Sequence, residues 1–172
     1  MQFLNLYGLV TVNGKIVDRS TMTLGEILNI GPLNDWVHAG SGADQVITGA
    51  GADYIDAGAG NDVVRAGAGD DVAHGGAGGD QLYGGDGGDW LVGGDGDDYM
   101  MGEAGDDLLD GGVGNDKLFG GAGNDRIYGG DGSDRIDTGD GVNFVWAGDG
   151  GDKVYGGDGN DLIDGGAGGD VI

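Results

Sequence analysis

The sequence contains no cysteine and only one proline, Pro32, among its 172 residues. Without cysteine, disulfide bonds cannot hold a small scaffold together, so another kind of cross-link has to replace them. Basic residues are also scarce, because seven Lys and Arg stand against 31 Asp and Glu and give a formal net charge of −24. That charge repels nucleic-acid phosphates and anionic membranes, and no apolar run is long enough to cross a bilayer. The composition therefore excludes nucleic-acid binding and membrane insertion and favours a metal ion as the cross-link.

Residues that could support catalysis are few and isolated. The two histidines, His38 and His74, belong to no HExxH motif, and Ser20, Ser41 and Ser133 lie in no GxSxG motif. The glycine pattern also gives neither GxGxxG nor a P-loop. We therefore predict that the chain is not an enzyme.

Glycine and aspartate dominate what is present. The chain has 46 glycines, and all of its acidic residues except Glu26 and Glu103 are aspartates. Aspartate favours turns and short-range oxygen ligation, whereas glutamate favours helices. A Gly-rich polyanion of this kind is typical of a disordered chain, unless bound cations neutralise it.

A period of nine residues runs from Ala39 to Ile172 without insertion or deletion. Fifteen copies follow the pattern GGxGxDxUx, in which U is apolar, for example AGSGADQVI at 39–47 and GGDGGDWLV at 84–92. Position 8 is apolar in every copy, which indicates a short strand, x-U-x, that buries its central side chain. The residues at position 8 are Val46, Ile55, Val64, Ala73, Leu82, Leu91, Met100, Leu109, Leu118, Ile127, Ile136, Val145, Val154, Ile163 and Ile172.

The first six positions of each repeat are predicted to form a turn. Glycine at positions 1, 2 and 4 permits positive φ and lets backbone carbonyls approach closely, and the aspartate at position 6 adds a carboxylate. Carbonyl and carboxylate oxygens from stacked turns make the hard-oxygen environment that calcium prefers. Magnesium would require tighter geometry.

These tandem nonapeptides resemble the RTX family. The resemblance implies an all-β fold, a right-handed parallel β-roll with two repeats per coil and calcium ions between turns one coil apart. It also implies up to about 13 ions, secretion to the cell exterior by a type I system, and carbonyl ligands from the repeat glycines. The implied side-chain ligands are Asp44, Asp53, Asp62, Asp71, Asp80, Asp89, Asp98, Asp107, Asp116, Asp125, Asp134, Asn143, Asp152, Asp161 and Asp170. The implied carbonyl ligands include Gly84, Gly85, Gly87, Gly120, Gly121 and Gly123.

Two repeats depart from the pattern. Asn143 replaces the position-6 aspartate and offers a neutral oxygen, with Val142 before it, so we expect a weaker site there. Glu103 occupies a glycine position, so its turn must adapt or hold a non-glycine residue at an unusual φ.

The first 38 residues form a separate predicted segment, and 39–172 form the roll. LVTVNGKIVDR indicates a hairpin with a turn at Asn13-Gly14, and STMTLGEILNI indicates a short helix that begins near Ser20 or Thr21 and ends around Gly31-Pro32. We expect this segment to cap the first coil. The initiating methionine favours a complete small protein without a cleaved signal.

Outward positions 7 and 9 predict an interaction surface. In even-numbered copies they are largely apolar, including Trp90 and Trp146, while odd-numbered copies mix basic and aromatic residues. A contiguous apolar surface usually marks a site that another molecule covers. The alternative explanation is that parallel sheets favour aromatic and β-branched residues. We expect other copies of the chain as partners, bound head to tail at the uncapped last coil, through the even face, or both.

Three functions remain open from the sequence. The first is a secreted calcium-folded structural protein that assembles into a filament or surface layer. The second is a C-terminal RTX module of a larger toxin or enzyme. The third is a carbohydrate- or ice-binding module, which the absence of regularly spaced Thr or Asn on one face disfavours.

Overall fold

The structure is a computed structural model that describes residues 16–18 and 27–172. Two parallel sheets build the described part of the chain, and no helix long and apolar enough to span a membrane occurs in it. The strands are β1 (Ile16–Asp18), β2 (Ile27–Gly31), β3 (Trp36–Ser41), β4 (Gln45–Ala50), β5 (Tyr54–Ala59), β6 (Val63–Ala68), β7 (Val72–Ala77), β8 (Gln81–Asp86), β9 (Trp90–Asp95), β10 (Tyr99–Ala104), β11 (Leu108–Val113), β12 (Lys117–Ala122), β13 (Arg126–Asp131), β14 (Arg135–Asp140), β15 (Phe144–Gly150), β16 (Lys153–Tyr155), β17 (Leu162–Asp164) and β18 (Ala167–Gly168).

Successive strands alternate between the two sheets. Odd-numbered strands from β1 to β17 form one sheet, in which β18 also pairs with β15, and β2 to β16 form the other. From β2 to β15 each strand pairs with the strand two further along, in a register offset of 18 residues, as in Leu91 opposite Leu109. Two nonapeptides therefore make one coil, and the predicted parallel β-roll is confirmed.

The core lies between the two sheets and consists of the position-8 side chains. Leu82, Leu91, Met100, Leu109 and their equivalents from Val46 to Val154 are all buried. Ile163 is partly buried, and Ile172 is exposed. Burying one Val, Leu, Ile or Met side chain stabilises a fold by about 1.5–3 kcal/mol, and Ala73 contributes less. Four buried alanines at position 1 add to the core, namely Ala39, Ala57, Ala66 and Ala147.

The strands are longer than the sequence predicted. Most cover six residues, from position 7 of one repeat to position 3 of the next, and the alternation of buried and outward residues continues through position 1. Only positions 4 to 6 form the turn. The short-strand prediction was wrong because the glycines at positions 1 and 2 stay in the parallel ladder, as Gly94 does opposite Gly76 and Gly112.

The first repeat of the roll lies upstream of Ala39. Residues 30–38 keep the nine-residue register, with Asp35 at position 6 and Val37 buried at position 8, and β3 begins at Trp36. The predicted helix over STMTLGEILNI is wrong at 27–31, where β2 pairs in parallel with β4. The end of the predicted hairpin, Ile16–Asp18, is a strand that pairs in parallel with β3, while the Asn13-Gly14 turn lies outside the described residues.

Glu103 is the one non-glycine residue with positive φ among the described residues, at 79°. Its register partners on both neighbouring strands, Gly85 and Gly121, also have positive φ. A side chain costs about 1–2 kcal/mol in this conformation. The sequence expectation of an unusual φ at this position is confirmed.

Glu103→Gly will therefore raise the free energy of unfolding by about 1 kcal/mol, because glycine adopts this φ without strain. Denaturant unfolding in saturating calcium measures the change. Glu103→Gln is the matched control, since it removes the charge near Asp89 but keeps the Cβ. An equal gain in both variants would assign the effect to charge and contradict the backbone argument.

Candidate metal sites

The position-6 aspartates form two columns, one along each edge of the roll where the turns stack. In each column the Oδ1 atom accepts a hydrogen bond from the backbone N–H of the position-6 residue one coil earlier. Asp80 N–H donates to Asp98 Oδ1 at 2.7 Å, and Asp98 N–H donates to Asp116 Oδ1 at 2.8 Å. The same bond recurs from Asp35 N–H to Asp53 Oδ1 through Asp152 N–H to Asp170 Oδ1.

The second carboxylate oxygen, Oδ2, is buried and has no hydrogen-bond partner. This holds for Asp53, Asp62, Asp71, Asp80, Asp89, Asp98, Asp107, Asp116, Asp125, Asp134 and Asp152. An unsatisfied buried polar group costs about 1–3 kcal/mol, and more when it is charged. A repeated orphan of this kind indicates a ligand, since native proteins satisfy nearly all buried polar groups.

Glycine at position 1 leaves room beside the orphaned oxygen in seven of these eleven repeats, whereas Thr48, Ala57, Ala66 and Ala147 occupy position 1 in the other four. A Cβ built on Gly111 would lie 2.5 Å from Asp116 Oδ2 and 2.5 Å from the carbonyl oxygen of Gly129 in the next coil. A Cβ on Gly93 would likewise meet Asp98 Oδ2 and, at 2.6 Å, the Gly111 carbonyl oxygen. A carboxylate oxygen and a carbonyl oxygen of successive coils thus converge on a space that a side chain would fill.

The oxygen chemistry of this space fits calcium. Calcium takes six to eight oxygen ligands in flexible geometry, and carboxylates and backbone carbonyls are its usual donors. Within the described part of the chain, no three His, Cys, Asp or Glu side chains converge on one point. Backbone carbonyls would therefore complete each site, and the position-6 aspartate would supply its charge.

The pKa values of the position-6 carboxyl groups also show that a charged carboxylate is unfavourable in the metal-free roll. Burial raises the pKa of Asp71, Asp98 and Asp107 to about 7, although the backbone hydrogen bond opposes the shift and neighbouring carboxylates add to it. Burial likewise raises the pKa of the following residues to about 6: Asp80, Asp89, Asp116, Asp125 and Asp134. Without a cation, these groups do not readily hold their charge in the roll.

The pKa values of two exposed aspartates in the turns are lowered instead of raised. Asp97 and Asp106, at position 5, accept hydrogen bonds from the backbone and side-chain nitrogens of Asn115 and Asn124, and these bonds lower their pKa. Their Oδ1 atoms are therefore already used in hydrogen bonds between stacked turns.

Acid will promote folding of the metal-free chain. The position-6 pKa rises from 3.8 to about 6 or 7 in the roll, so the folded state binds protons more tightly than the unfolded chain. The resulting stabilisation is fully present below about pH 4 and is lost as the pH rises through about 6 to 7. Circular dichroism in chelator from pH 8 to 5 will show rising β content.

The same pH series in millimolar calcium is the control. There acid competes with the metal for the carboxylates, so the calcium-bound fold will weaken as the pH falls. A pH response of the same sign in both series would contradict the assignment of the raised pKa values to the metal-free carboxylates.

Comparison with known proteins agrees with this geometry. Six overlapping segments that together run from residue 30 to residue 172 match the family model of the RTX calcium-binding nonapeptide repeat. The chain belongs to this family. It is a calcium-binding repeat protein, and no curated protein gives a significant match to the whole sequence.

The structure places the predicted RTX ligands as follows. Asp44 to Asp152 are buried in the turns, whereas Asp161 and Asp170 in the last coil are less enclosed. Gly85, Gly87, Gly121 and Gly123 adopt positive φ, and Gly84 and Gly120 lie next to the orphaned oxygens of Asp89 and Asp125. Ligation by these particular atoms stays a prediction.

One RTX repeat and its position-6 residue were not predicted from the sequence. Asp35 lies one coil before Asp53, and its backbone N–H donates to Asp53 Oδ1 at 2.7 Å. Pro32 and Leu33 replace the usual residues at positions 3 and 4 and hide the motif. Gly31, Asp35 and Val37 keep the spacing, which was the signal that could have revealed it.

Proposed function

We propose that this RTX chain is a structural protein that is exported, folds on calcium outside the cell and associates there with further copies of itself. The observation that carries the proposal is the double column of buried aspartates whose Oδ2 atoms lack partners. Such a chain folds only where calcium is abundant. Extracellular calcium modules bind with a Kd of about 10⁻⁴–10⁻³ M, whereas cytosolic sensors need about 10⁻⁷–10⁻⁵ M.

Charge balance supports many ions. Residues 39–172 contain 28 acidic and five basic residues, for a formal charge of −23. About 13 ions, one for each pair of repeats a coil apart, would bring about 26 positive charges and remove the repulsion that opposes folding. Ion binding and folding are then one event, and export by a type I system leaves the chain unfolded until it reaches calcium.

An aromatic face supports self-association. We give this name to the outer surface of the ten-stranded sheet, formed by positions 7 and 9 of β3 to β17. Trp36, Trp90 and Leu162 are 55%, 47% and 62% exposed on it. The rings form ordered contacts, with Tyr128 stacked on Trp146 at 5.0 Å between centroids. Large exposed apolar patches on a folded protein usually mark a binding surface.

The opposite surface carries the complementary charge. On this basic face, formed by positions 7 and 9 of β4 to β16, Lys117, Arg135 and Lys153 stand in register on adjacent strands. Like charges placed directly opposite each other in a sheet are destabilising, so an acidic partner would relieve them. The aromatic face has Asp110 and Asp164 at position 9. It also holds Asp56, which is hydrogen-bonded to His38 Nδ1 at 2.7 Å, and one basic residue, Arg126. Packing of one copy's basic face on another's aromatic face satisfies both surfaces.

Sedimentation velocity tests this association. In millimolar calcium the protein will form concentration-dependent oligomers, and in chelator it will not. The double variant Lys117→Glu/Lys153→Glu will weaken association at least tenfold, because it removes the charge attraction between the two faces.

A charge swap provides the matched control. Mixing Lys117→Glu/Lys153→Glu with Asp110→Lys/Asp164→Lys will restore association, since each variant again meets an opposite charge. Calcium-folded monomers at every concentration would defeat self-association and leave the alternative, an RTX module of a larger secreted toxin or enzyme. Association of unchanged strength in both double variants would refute the assignment of the basic and aromatic faces as the interface.

A further inference from the structure

One position in the carboxylate columns carries an amide. Asn143 lies at position 6 on the edge that contains Asp107 and Asp125, and it is fully buried. Its Oδ1 accepts a hydrogen bond from Asp125 N–H at 2.8 Å, and its own N–H donates to Asp161 Oδ1 at 2.8 Å. Asn143 thus keeps the hydrogen-bond ladder of its column intact.

That ladder fixes the orientation of the amide. The side chain has one oxygen, and the backbone N–H of Asp125 already uses it. A flipped amide would place its NH2 group against that N–H donor and lose the bond. The NH2 group, Nδ2, therefore takes the place that Oδ2 has in the aspartates, and it is buried without an acceptor.

A donor in this place opposes a cation. The Oδ2 atom of Asp125 brings negative charge and lone pairs to its turn, whereas Asn143 Nδ2 brings hydrogens with partial positive charge and no lone pair for ligation. The weaker site predicted at Asn143 stays a prediction; in this orientation its neutral oxygen faces the ladder and its NH2 group faces the space of the site.

Thr138 provides a second, independent change in the same repeat. It occupies position 1, where most turns have glycine, and its Oγ1 donates a hydrogen bond to the Gly156 carbonyl oxygen at 2.6 Å. The corresponding carbonyl oxygen of Gly129 lies beside the Cα of Gly111, with no side chain on that glycine to bond it. At the Asn143 turn a side-chain hydroxyl thus fills the space and occupies a potential carbonyl ligand. Thr48 makes the same bond to the Ala66 carbonyl oxygen beside Asp53, at 2.8 Å, so it is the combination of Thr138 with the missing carboxylate that sets the Asn143 turn apart.

We infer that the turn of Asn143 and Thr138 is built to hold no calcium ion, and that it interrupts the ion ladder along its edge of the roll. Hydrogen bonds within the protein replace the metal at this turn. The coil is held by the ladder bonds to Asp125 and Asp161 and by the buried side chain of Val145. The ion count of the chain is thus one lower than the number of turns suggests.

Native mass spectrometry of the calcium-loaded full chain tests this inference. Asn143→Asp will bind about one more ion than the wild type, and Asn143→Asp/Thr138→Gly will do so at lower calcium, because the double variant frees both oxygens. Asp107→Asn is the matched control on the same edge. Asp89 N–H fixes its Oδ1 in the same way, so this variant will bind about one ion fewer.

A crystal structure of the wild type in millimolar calcium keeps the test independent of whether any variant folds. Anomalous scattering at the other turns, with none beside Asn143, is the expected result. An ion beside Asn143 would overturn the inference. So would equal ion counts for the wild type and for both Asn143→Asp variants when Asp107→Asn loses one.

Discussion

Removing calcium with a chelator at pH 7.5 will convert the protein from a β-rich fold to a largely disordered chain. Eleven aspartates in the described part have a buried Oδ2 without a partner. At about 1–3 kcal/mol for each unsatisfied group, their combined cost is comparable to or larger than the 5–15 kcal/mol that typically stabilises a domain. Self-repulsion from a net charge of −24 adds to this cost.

Far-ultraviolet circular dichroism and hydrodynamic radius will measure this transition. Both will return to the folded values when calcium is added back in the millimolar range, because ions that bind the folded state alone stabilise it by mass action. Magnesium at equal concentration and sodium at equal ionic strength are the controls for general charge screening. A β spectrum that persists unchanged in chelator, or that magnesium restores equally well, would refute the coupling of folding to calcium.

Gly94→Ala will destabilise the calcium-bound roll by about 3 kcal/mol, a large effect for the addition of one methyl group. Gly94 has a φ of +115°, and a Cβ there would overlap the carbonyl oxygen of Gly76 in the preceding coil. Glu103 occupies the equivalent ladder position with its φ at 79°, so an alanine at position 94 must move its backbone away from +115° to clear this carbonyl while it keeps the register. Denaturant unfolding in saturating calcium measures the loss.

Gly88→Ala is the matched control in the neighbouring repeat. Gly88 lies at position 5, where another repeat has Ala52, and its φ is not positive. A Cβ there would meet Asp106 O at 3.2 Å, a tight contact in an exposed turn. We expect a change within about 0.5 kcal/mol. Equal losses in both variants would show that glycine is needed for reasons other than φ and the close approach of carbonyls.

The roll could be predicted because the same nine-residue pattern recurs fifteen times in the sequence. An apolar residue at position 8 recurs in every repeat from Val46 to Ile172, and only a two-repeat coil brings these side chains into one core. The aspartate columns could be predicted for the same reason. A single nonapeptide would have supported neither conclusion.

The remaining features depend on contacts that the repeat pattern does not encode. A capping residue near Ser20 or Thr21 and a stop at Gly31-Pro32 suit a helix, but pairing with β4 makes residues 27–31 a strand. The orientation of the Asn143 amide depends on a donor from Asp125, 18 residues away. Neither local propensity nor spacing contains that information.

Because the pairing offset is 18 residues from β2 onward, successive coils present the same backbone hydrogen-bonding groups. Excising residues 84–101 would join Tyr83 to Gly102 in the same phase and shorten the protein by about 4.8 Å, the spacing of one strand. The length of the roll can therefore change only in whole coils of 18 residues, whether by gene duplication or by design.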